Sequence, residues 1–578
     1  IIPIEEVVDE TALPPSPGIA APATPSAPPA EAPPAPGAEP AAAPETAPTP
    51  PAETDGTFVD PEFAVGAPAA ESAPAQAQAQ EAWIPSVEFG GEIRSRLGQD
   101  LAYEYAIVRT ASDRPPVAQG REDVIDWRSS FAFWTRLGLS EHIQSYLELY
   151  AEHSVVGKRS ENGPTVIFNG EAYRHALRLD LREAYFDFFF GPFHLRAGNQ
   201  IVAWGTLAQT SPSDRVNPLD PRAFYWSDIG GLREPVLALR GIYNWNDLNF
   251  ELLWIPIFTP PPVEPYGGDF ALIRYDSAYG FTAYPIPDID VYVDSSKTSG
   301  ALPDLLSTKE PNANPLNSQA GLRFSGTKGG VDFGLSYLFA YEFAPATHFD
   351  PEVRALADAL LQQDTNLATA YIQGLLDRLK AGEDVENLVQ SEYRRKHSVA
   401  AEFGTTVWEF GLKAEMAFLP DKTYYTAGLV PVEHHTLAYA AGVDVLKTDL
   451  GALSTLYLDF ELFGSTLFGV PAGEQLVFTS DRSLGLFSTL RFAFLDDDLE
   501  LEATGQVQFA TREFIVIPKI SYKIIQGLRL SLGLMLIDSW AHEAQGFDRY
   551  ASNPDRKDTL LGQYSNNDQV FFMVKYNF

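Results

Sequence analysis

From residue 83 to the C-terminus, apolar and polar side chains alternate along segment after segment, the two-residue period of a strand with one apolar face. In the last segment Val570, Phe572, Val574, Tyr576 and Phe578 share one wholly apolar face. The same alternation runs through GEIRSRLG, IDWRSSFAFWTRLGLS, IQSYLELYAEH and HALRLDLREAYFDFFF, and later through LGLFSTLRFAFL, LELEATGQVQF and LRLSLGLMLI. A soluble sheet would need other elements to cover so many apolar faces, whereas a closed barrel turns them to lipid. About eighteen such segments, each long enough to cross a bilayer when tilted, predict an all-β chain: a transmembrane antiparallel β-barrel.

The connectors divide into two kinds. Short turns are expected at Ser140–Glu141, Gly191–Pro192, Asn246–Asp247, Lys328–Gly329, Thr405–Thr406, Thr448–Asp449, Asp496–Asp498 and Gln526–Gly527. Long links are expected at 109–124, 155–174, 205–235, 259–317, 343–391, 420–433, 464–481 and 541–566. Short turns at one rim and long loops at the other place both termini on the short-turn, periplasmic side of an outer membrane. The last strand is then expected to pair with the first, leaving no edge for lipid to meet. Strand 172–190 fits this plan only if a bulge returns Glu183 and Asp187 to the inner face. Loop 350–382 stands apart: Leu356, Leu360, Leu367, Tyr371, Leu375 and Leu379 recur at helical spacing behind Pro351, which predicts a helix in an external loop.

Composition adds a second region. Residues 1–82 hold 19 of the 45 prolines and 13 acids with no Lys or Arg, so they carry −13 of the formal −36 and leave −23 for the rest. Such a stretch is expected to be a disordered, extended periplasmic tail, leaving 83–578 as the barrel. Its start, with Ile1, Ile2, Ile4, Val7 and Val8 among acids, has the form of a short motif that adds a strand to a periplasmic partner; a processing remnant is the plainer reading. The chain opens at Ile1 with no Met-led signal, and the expectation is a processed exported protein.

With no Cys in the chain, disulfide scaffolds, Cys-ligated zinc and thiol catalysis are excluded. A strongly acidic balance argues against nucleic acid. No phosphate-binding Gly loop and no nucleophile elbow occurs, no pair of carboxylates stands out, and the reading is a non-enzyme without cofactor or metal. Glu433-His434-His435 is expected to be solvated in an external loop.

If the apolar set of each strand faces lipid, the alternate set faces inward. Early strands then contribute Arg94, Arg96, Arg128, Arg136, Arg178, Arg182, Arg196, Gln200, Arg240 and Arg323. Later strands contribute Glu402, Glu409, Glu415, Asp444, Asp459, Glu461, Glu500 and Glu502. The expectation is a basic wall facing an acidic one across a solute path, or charges that pair and only stabilise the barrel.

The stretch LRAGNQIVAWGTLAQTSPSDRVNPLDPR carries Arg196, Gly198, Gln200, Trp204, Gly205, Asn217, Pro218 and Asp220 in the order R-x-G-x-Q, W-G, N-P-x-D. In this it resembles a family of Gram-negative outer-membrane barrels named only as a domain of unknown function, and it is similar also to alginate-export and porin-type barrels. The resemblance implies an outer-membrane barrel, in lipid and lipopolysaccharide, with the segment after this strand folded inward. Phe224, Tyr225 and Trp226 would line the pore if loop 205–235 folds inward, and would form the loop's own small core if it stays outside. The functional expectation is a channel for passive or gated passage of small solutes, hydrophobic or carbohydrate-like. The alternative is a barrel that anchors a trans-envelope complex, its tail docking a periplasmic or inner-membrane partner.

Overall fold

The computed structural model describes residues 85–578 except 102–103, 109–116, 122, 160–165, 169–176, 221–231, 262–307, 310, 313, 362–364, 382–387, 427–429, 475, 477–478, 541–559 and 565–567. The tail 1–82, with Ile1 to Val8, and the aromatics Phe224, Tyr225 and Trp226 lie outside the described residues.

Eighteen antiparallel strands close into one ring. They are β1 (Ser86–Asp100), β2 (Asp123–Ser140), β3 (Ile143–Arg159), β4 (Leu177–Phe190), β5 (Phe193–Gln200), β6 (Val236–Trp245), β7 (Leu248–Ile255), β8 (Gln319–Lys328) and β9 (Val331–Tyr341). The ring continues with β10 (Arg395–Val407), β11 (Phe410–Tyr425), β12 (Pro431–Leu450), β13 (Leu453–Phe468), β14 (Arg482–Phe494), β15 (Leu499–Gln508), β16 (Glu513–Ile525), β17 (Leu528–Ser539) and β18 (Gln569–Asn577). Each strand pairs with its successor, and β18 pairs back onto β1 with Lys575 opposite Arg94. Gly91 and Phe578 exchange backbone hydrogen bonds of 3.0 Å in both directions at the seam. No edge is left, as the sequence pattern requires.

The outer face is apolar and bare: Leu97, Phe131, Leu149, Leu252, Leu335, Leu532 and Phe572 are exposed, while Arg96, Glu415 and Glu461 are buried. Buried charge beside exposed aliphatic surface is stable only where hydrocarbon meets the outside. No helix among the described residues is long and apolar enough to cross a membrane. The strands cross it, and the molecule is a transmembrane β-barrel.

The expected bulge is present in β4. Glu148 faces Glu183 but Leu149 faces Leu181, so Arg182 is the extra residue, and the alternation flips there. Glu183 and Asp187 thereby return inward, where Asp187 meets Arg196.

Other connections differ from the sequence reading. The turn expected at Thr405–Thr406 lies at Trp408–Glu409, where Trp408 adopts a left-handed φ of 56°. The link 420–433 is mostly strand: β11 continues past a register shift between Leu419 and Lys422, where Pro420 has no N–H to give the ladder. Glu433, His434 and His435 accordingly sit on β12 and not in a loop. Glu433 pairs with Lys396, His434 with Glu474, and His435 with Asp421. Phe509–Arg512 is a tight turn at the long-loop rim.

The loop after β9 holds two helices rather than one, α1 (Pro351–Leu361) and α2 (Thr365–Lys380). Leu356 and Ala359 of α1 pack against Ala368, Ile372 and Leu375 of α2, with Leu388 completing the cluster. A single long helix would leave that apolar stripe in water, and folding it in two lets it cover itself. Arg378 joins Asp350 and Glu352 across the start of the pair. The Arg378 hydrogen bond holds the Asp350 carboxyl below its ordinary range.

Candidate functional site

β5 ends early, at Gln200, and residues 201–220 leave the wall and return beside it. Asn217 closes this excursion at its base: its Oδ1 accepts from the Val202 N–H at 2.7 Å, and its Nδ2 donates to the Glu234 carbonyl at 2.7 Å. Asp220 accepts from Arg178, whose guanidinium also grips Glu234. Gln200 donates to the Ala238 carbonyl at 3.0 Å. Both ends are thus tied to the strands they come from.

The middle of the segment reaches the far side of the ring. Glu415 on β11 accepts from the N–H groups of Thr206, Leu207 and Ser213 and from the hydroxyls of Thr206 and Ser211. Glu461 on β13 accepts from the N–H groups of Ala208, Gln209 and Thr210 and from the Thr210 hydroxyl. Counted round an eighteen-stranded ring, β13 is eight strands from β5, close to diametrically opposite. Successive N–H groups converging on one carboxylate are the protein's own version of an anion nest. Gly205 makes the first approach, with φ of 107°; a Cβ there would sit 2.9 Å from both Glu415 carboxylate oxygens.

On its other side the segment packs on the wall. Val202, Trp204 and Val216 form one cluster with Val236 and Ala238 of β6, Leu253 and Ile255 of β7, and Leu338 and Ala340 of β9. Trp204 is 2 % exposed, and a Cβ on Gly321 would come within 2.6 Å of its ring. Its indole N–H donates to Glu251 at 2.9 Å, the carboxylate that Arg240 holds at 2.8 Å through two nitrogens. A second, smaller cluster covers the inner faces of β16 and β17, where Ile515, Met535 and Ile537 meet Tyr564 from the loop before β18. Water is the alternative environment on this side of the wall, so covering these faces gains hydrophobic free energy that burial against lipid would not.

The charges predicted to face inward are brought together differently from the two-wall expectation. Arg94 pairs with Glu92, Arg128 with Glu152, Arg182 with Glu148, Arg196 with Asp187, Arg240 with Glu251, and Arg323 with Glu402. Arg96 donates to Gln569 and lies over Phe571. On the acidic strands Asp444 pairs with Lys413, while Arg491 and Arg529 meet Glu500 and Arg491 also meets Glu502. Asp459 is buried directly opposite Asp444. The segregation into a basic and an acidic wall is therefore corrected: neighbouring strands supply both signs, and short-range pairing wins over separation because a bare charge on a partly dried wall is costly. Two predicted residues lie outside this set. Arg136 is exposed and paired with Glu88, and Glu409 is an exposed turn residue paired with Lys447.

Sequence reasoning missed the acids on the early strands, although Glu92 shares parity with Arg94, and Glu148 and Glu152 share it with each other. It also missed a plainer signal. Where the inner face is covered, alternation fails: VLAL at 236–239, LLWIPIF at 252–258, FIVI at 514–517 and LMLI at 534–537 are continuous apolar runs, the mark of a strand buried on both faces.

Residues 149–578 match the family described as "Protein of unknown function (DUF1302)". No curated protein matches the chain. Among solved structures, Pseudomonas aeruginosa OpdK with vanillate is 9% identical, covering 85% of this chain and 98% of its own at a TM-score of 0.39. Salmonella typhi OmpF in complex with daunomycin is 8% identical, at 85% and 97% coverage and a TM-score of 0.35. A mutant of Rh. blastica porin is 11% identical, at 85% and 100% coverage and a TM-score of 0.31. Likenesses at this level say nothing about solute or mechanism.

Proposed function

We propose that this chain, which belongs to the DUF1302 family, is an outer-membrane channel for small polar solutes whose bore is set by the inward-folded segment 201–220. The observation that supports this is the double carboxylate hold: Glu415 and Glu461 fix the segment across the interior, while its apolar side fills only the part of the ring beside β6, β7 and β9. The path runs between the segment and the paired charges of β14, β15 and β1 to β3, a wall that hydrates polar solutes and repels none by net sign. Lipopolysaccharide and lipid surround the outer face, and the long-loop rim faces out of the cell.

Reconstitution of the purified protein in planar bilayers tests this reading. Wild type is expected to give discrete conductance steps, and Glu415→Ala with Glu461→Ala larger ones, because the segment is no longer held across the bore. Absence of current from both proteins overturns the channel reading. It would favour the anchor, for which residues 1–82 are the proposed docking element.

A further inference from the structure

Nearly every inner-face cation described above has an acid bonded to it, and two others depart from that rule. Arg215 projects from the inward-folded segment between Asp214, which Arg233 holds, and Val216, which is buried in the apolar cluster; its backbone position is therefore fixed. Lys422 follows the register shift in β11, and that shift decides which side chain faces inward. Glu415, Ala417 and Leu419 set the inward parity of β11 below it. Without the extra residue, Asp421 and Thr423 would continue that face; with it, Lys422 and Tyr424 do. The bulge exchanges an inward acid for an inward base.

Neither cation has a hydrogen bond or ion pair among the described residues. The Ser213 N–H, two residues before Arg215, is bonded to Glu415 of β11, the strand that carries Lys422, and the two cations lie within electrostatic range of each other and of Glu342. That carboxylate is already bonded to the Thr423 N–H at 3.2 Å and its hydroxyl at 2.6 Å. On β12, opposite Lys422, His434 is hydrogen-bonded to Glu474 at 2.7 Å. Tyr424 presents a ring beside Lys422, 5.2 Å from its ammonium, and its hydroxyl is tied to Thr436 at 2.8 Å. Among the described residues, Glu342 is the one acid within range of both cations, which leaves a surplus of a single positive charge next to an aromatic face.

We propose that Arg215 and Lys422 form a receptor for one carboxylate of a small organic acid, on the long-loop side of the inward-folded segment, with the Tyr424 ring flanking the acid's apolar body. This rests on the channel reading and gives its solute a chemical class. The guanidinium fork fits a carboxylate through two hydrogen bonds, and the ammonium adds a second, less directional contact. One surplus charge matches a monoanion; a phosphate dianion would leave the site negative.

The test is equilibrium binding to the full-length protein in detergent, which reads the site whether or not the barrel conducts. Benzoate, its neutral isostere benzamide and inorganic phosphate are compared on wild type, Arg215→Gln, Lys422→Gln and the double variant, with strand content checked by circular dichroism. Benzoate is expected to bind wild type, benzamide not, and the double variant to lose at least about tenfold in benzoate affinity, the order set by removing two charge-assisted contacts. Equal binding of benzoate and benzamide, unchanged benzoate affinity in the folded double variant, or a preference for phosphate each overturns the proposal. Current without benzoate binding would leave the channel standing and remove this solute class.

Discussion

The inner face of β6, β7 and β9 and the inner face of β1 to β3 with β14 and β15 belong to the same ring and are built from opposite materials. The first carries Val236, Ala238, Leu253, Ile255, Leu338 and Ala340 under a folded-in segment. The second carries Glu92, Arg94, Arg128, Glu152, Arg491, Glu500 and Glu502 in bonded pairs with no comparable apolar cluster among the described residues. Lipid meets both on the outside, so the outer halves of their sequences look alike. The difference teaches that the inward set alone records what packs against it: apolar where the folded-in segment lies on the wall, charged and paired where it does not.

Breaking the packed side should have the largest effect. Trp204→Ala removes a fully enclosed ring and frees Glu251 of one donor, a loss of about 3–5 kcal/mol of docking free energy by analogy with other buried aromatic truncations. Hydrogen exchange across 201–220 is expected to rise sharply while strand amides stay protected. Unchanged exchange there would mean the apolar cluster does not hold the segment.

Next comes the far attachment. Glu461→Gln keeps the shape of the side chain but removes the charge that gathers the N–H groups of residues 208–210, at a cost of roughly 1.5–3 kcal/mol. Exchange should rise at those residues and much less at Val202 and Trp204, which separates the carboxylate hold from the apolar one.

The charged side should respond in a different currency. Glu500→Gln with Glu502→Gln leaves Arg491, Lys519 and Arg529 with less opposing charge; if the proposed solute path brings water to this wall, such pairs contribute less than about 1 kcal/mol each. Thermal stability is expected to stay nearly unchanged, while the reversal potential in a salt gradient moves toward anion preference. A large stability loss instead would show that this wall is as dry as the other.

The smallest effect belongs to neither side. With its pKa lowered by Arg378, Asp350 supports the α1–α2 pair fully above the ordinary carboxylate value of about 3.9 and loses that support as pH falls through the lowered value. Protection of the 351–380 amides, taken relative to their intrinsic exchange rates at each pH, should therefore be flat from neutral pH to about pH 5 and fall only in stronger acid.

Much of this was legible beforehand. Strand number, closure and the bulge that rescues Glu183 and Asp187 follow from period-two patterning, while the inward turn of the segment after Gln200 was open on the residues alone and implied only by the resemblance its motif carries. In that motif, Asn217 ties the base, Asp220 meets Arg178, Gly205 admits Glu415, and Trp204 fills the cluster. The pairing of charges was not legible, because strand neighbours in register were unknown and each Arg was read without the acid opposite it. The bulge at Leu419/Lys422 was equally hidden, since a parity count carries straight through Pro420 unless the extra residue is seen.

The Glu461 hold joins residues 253 positions apart in the chain. The seven strands between them, β6 to β12, must already stand side by side before Ala208 can find its acceptor. The crossing of the interior by residues 206–210 is therefore a late event in assembly, made after most of the staves are set.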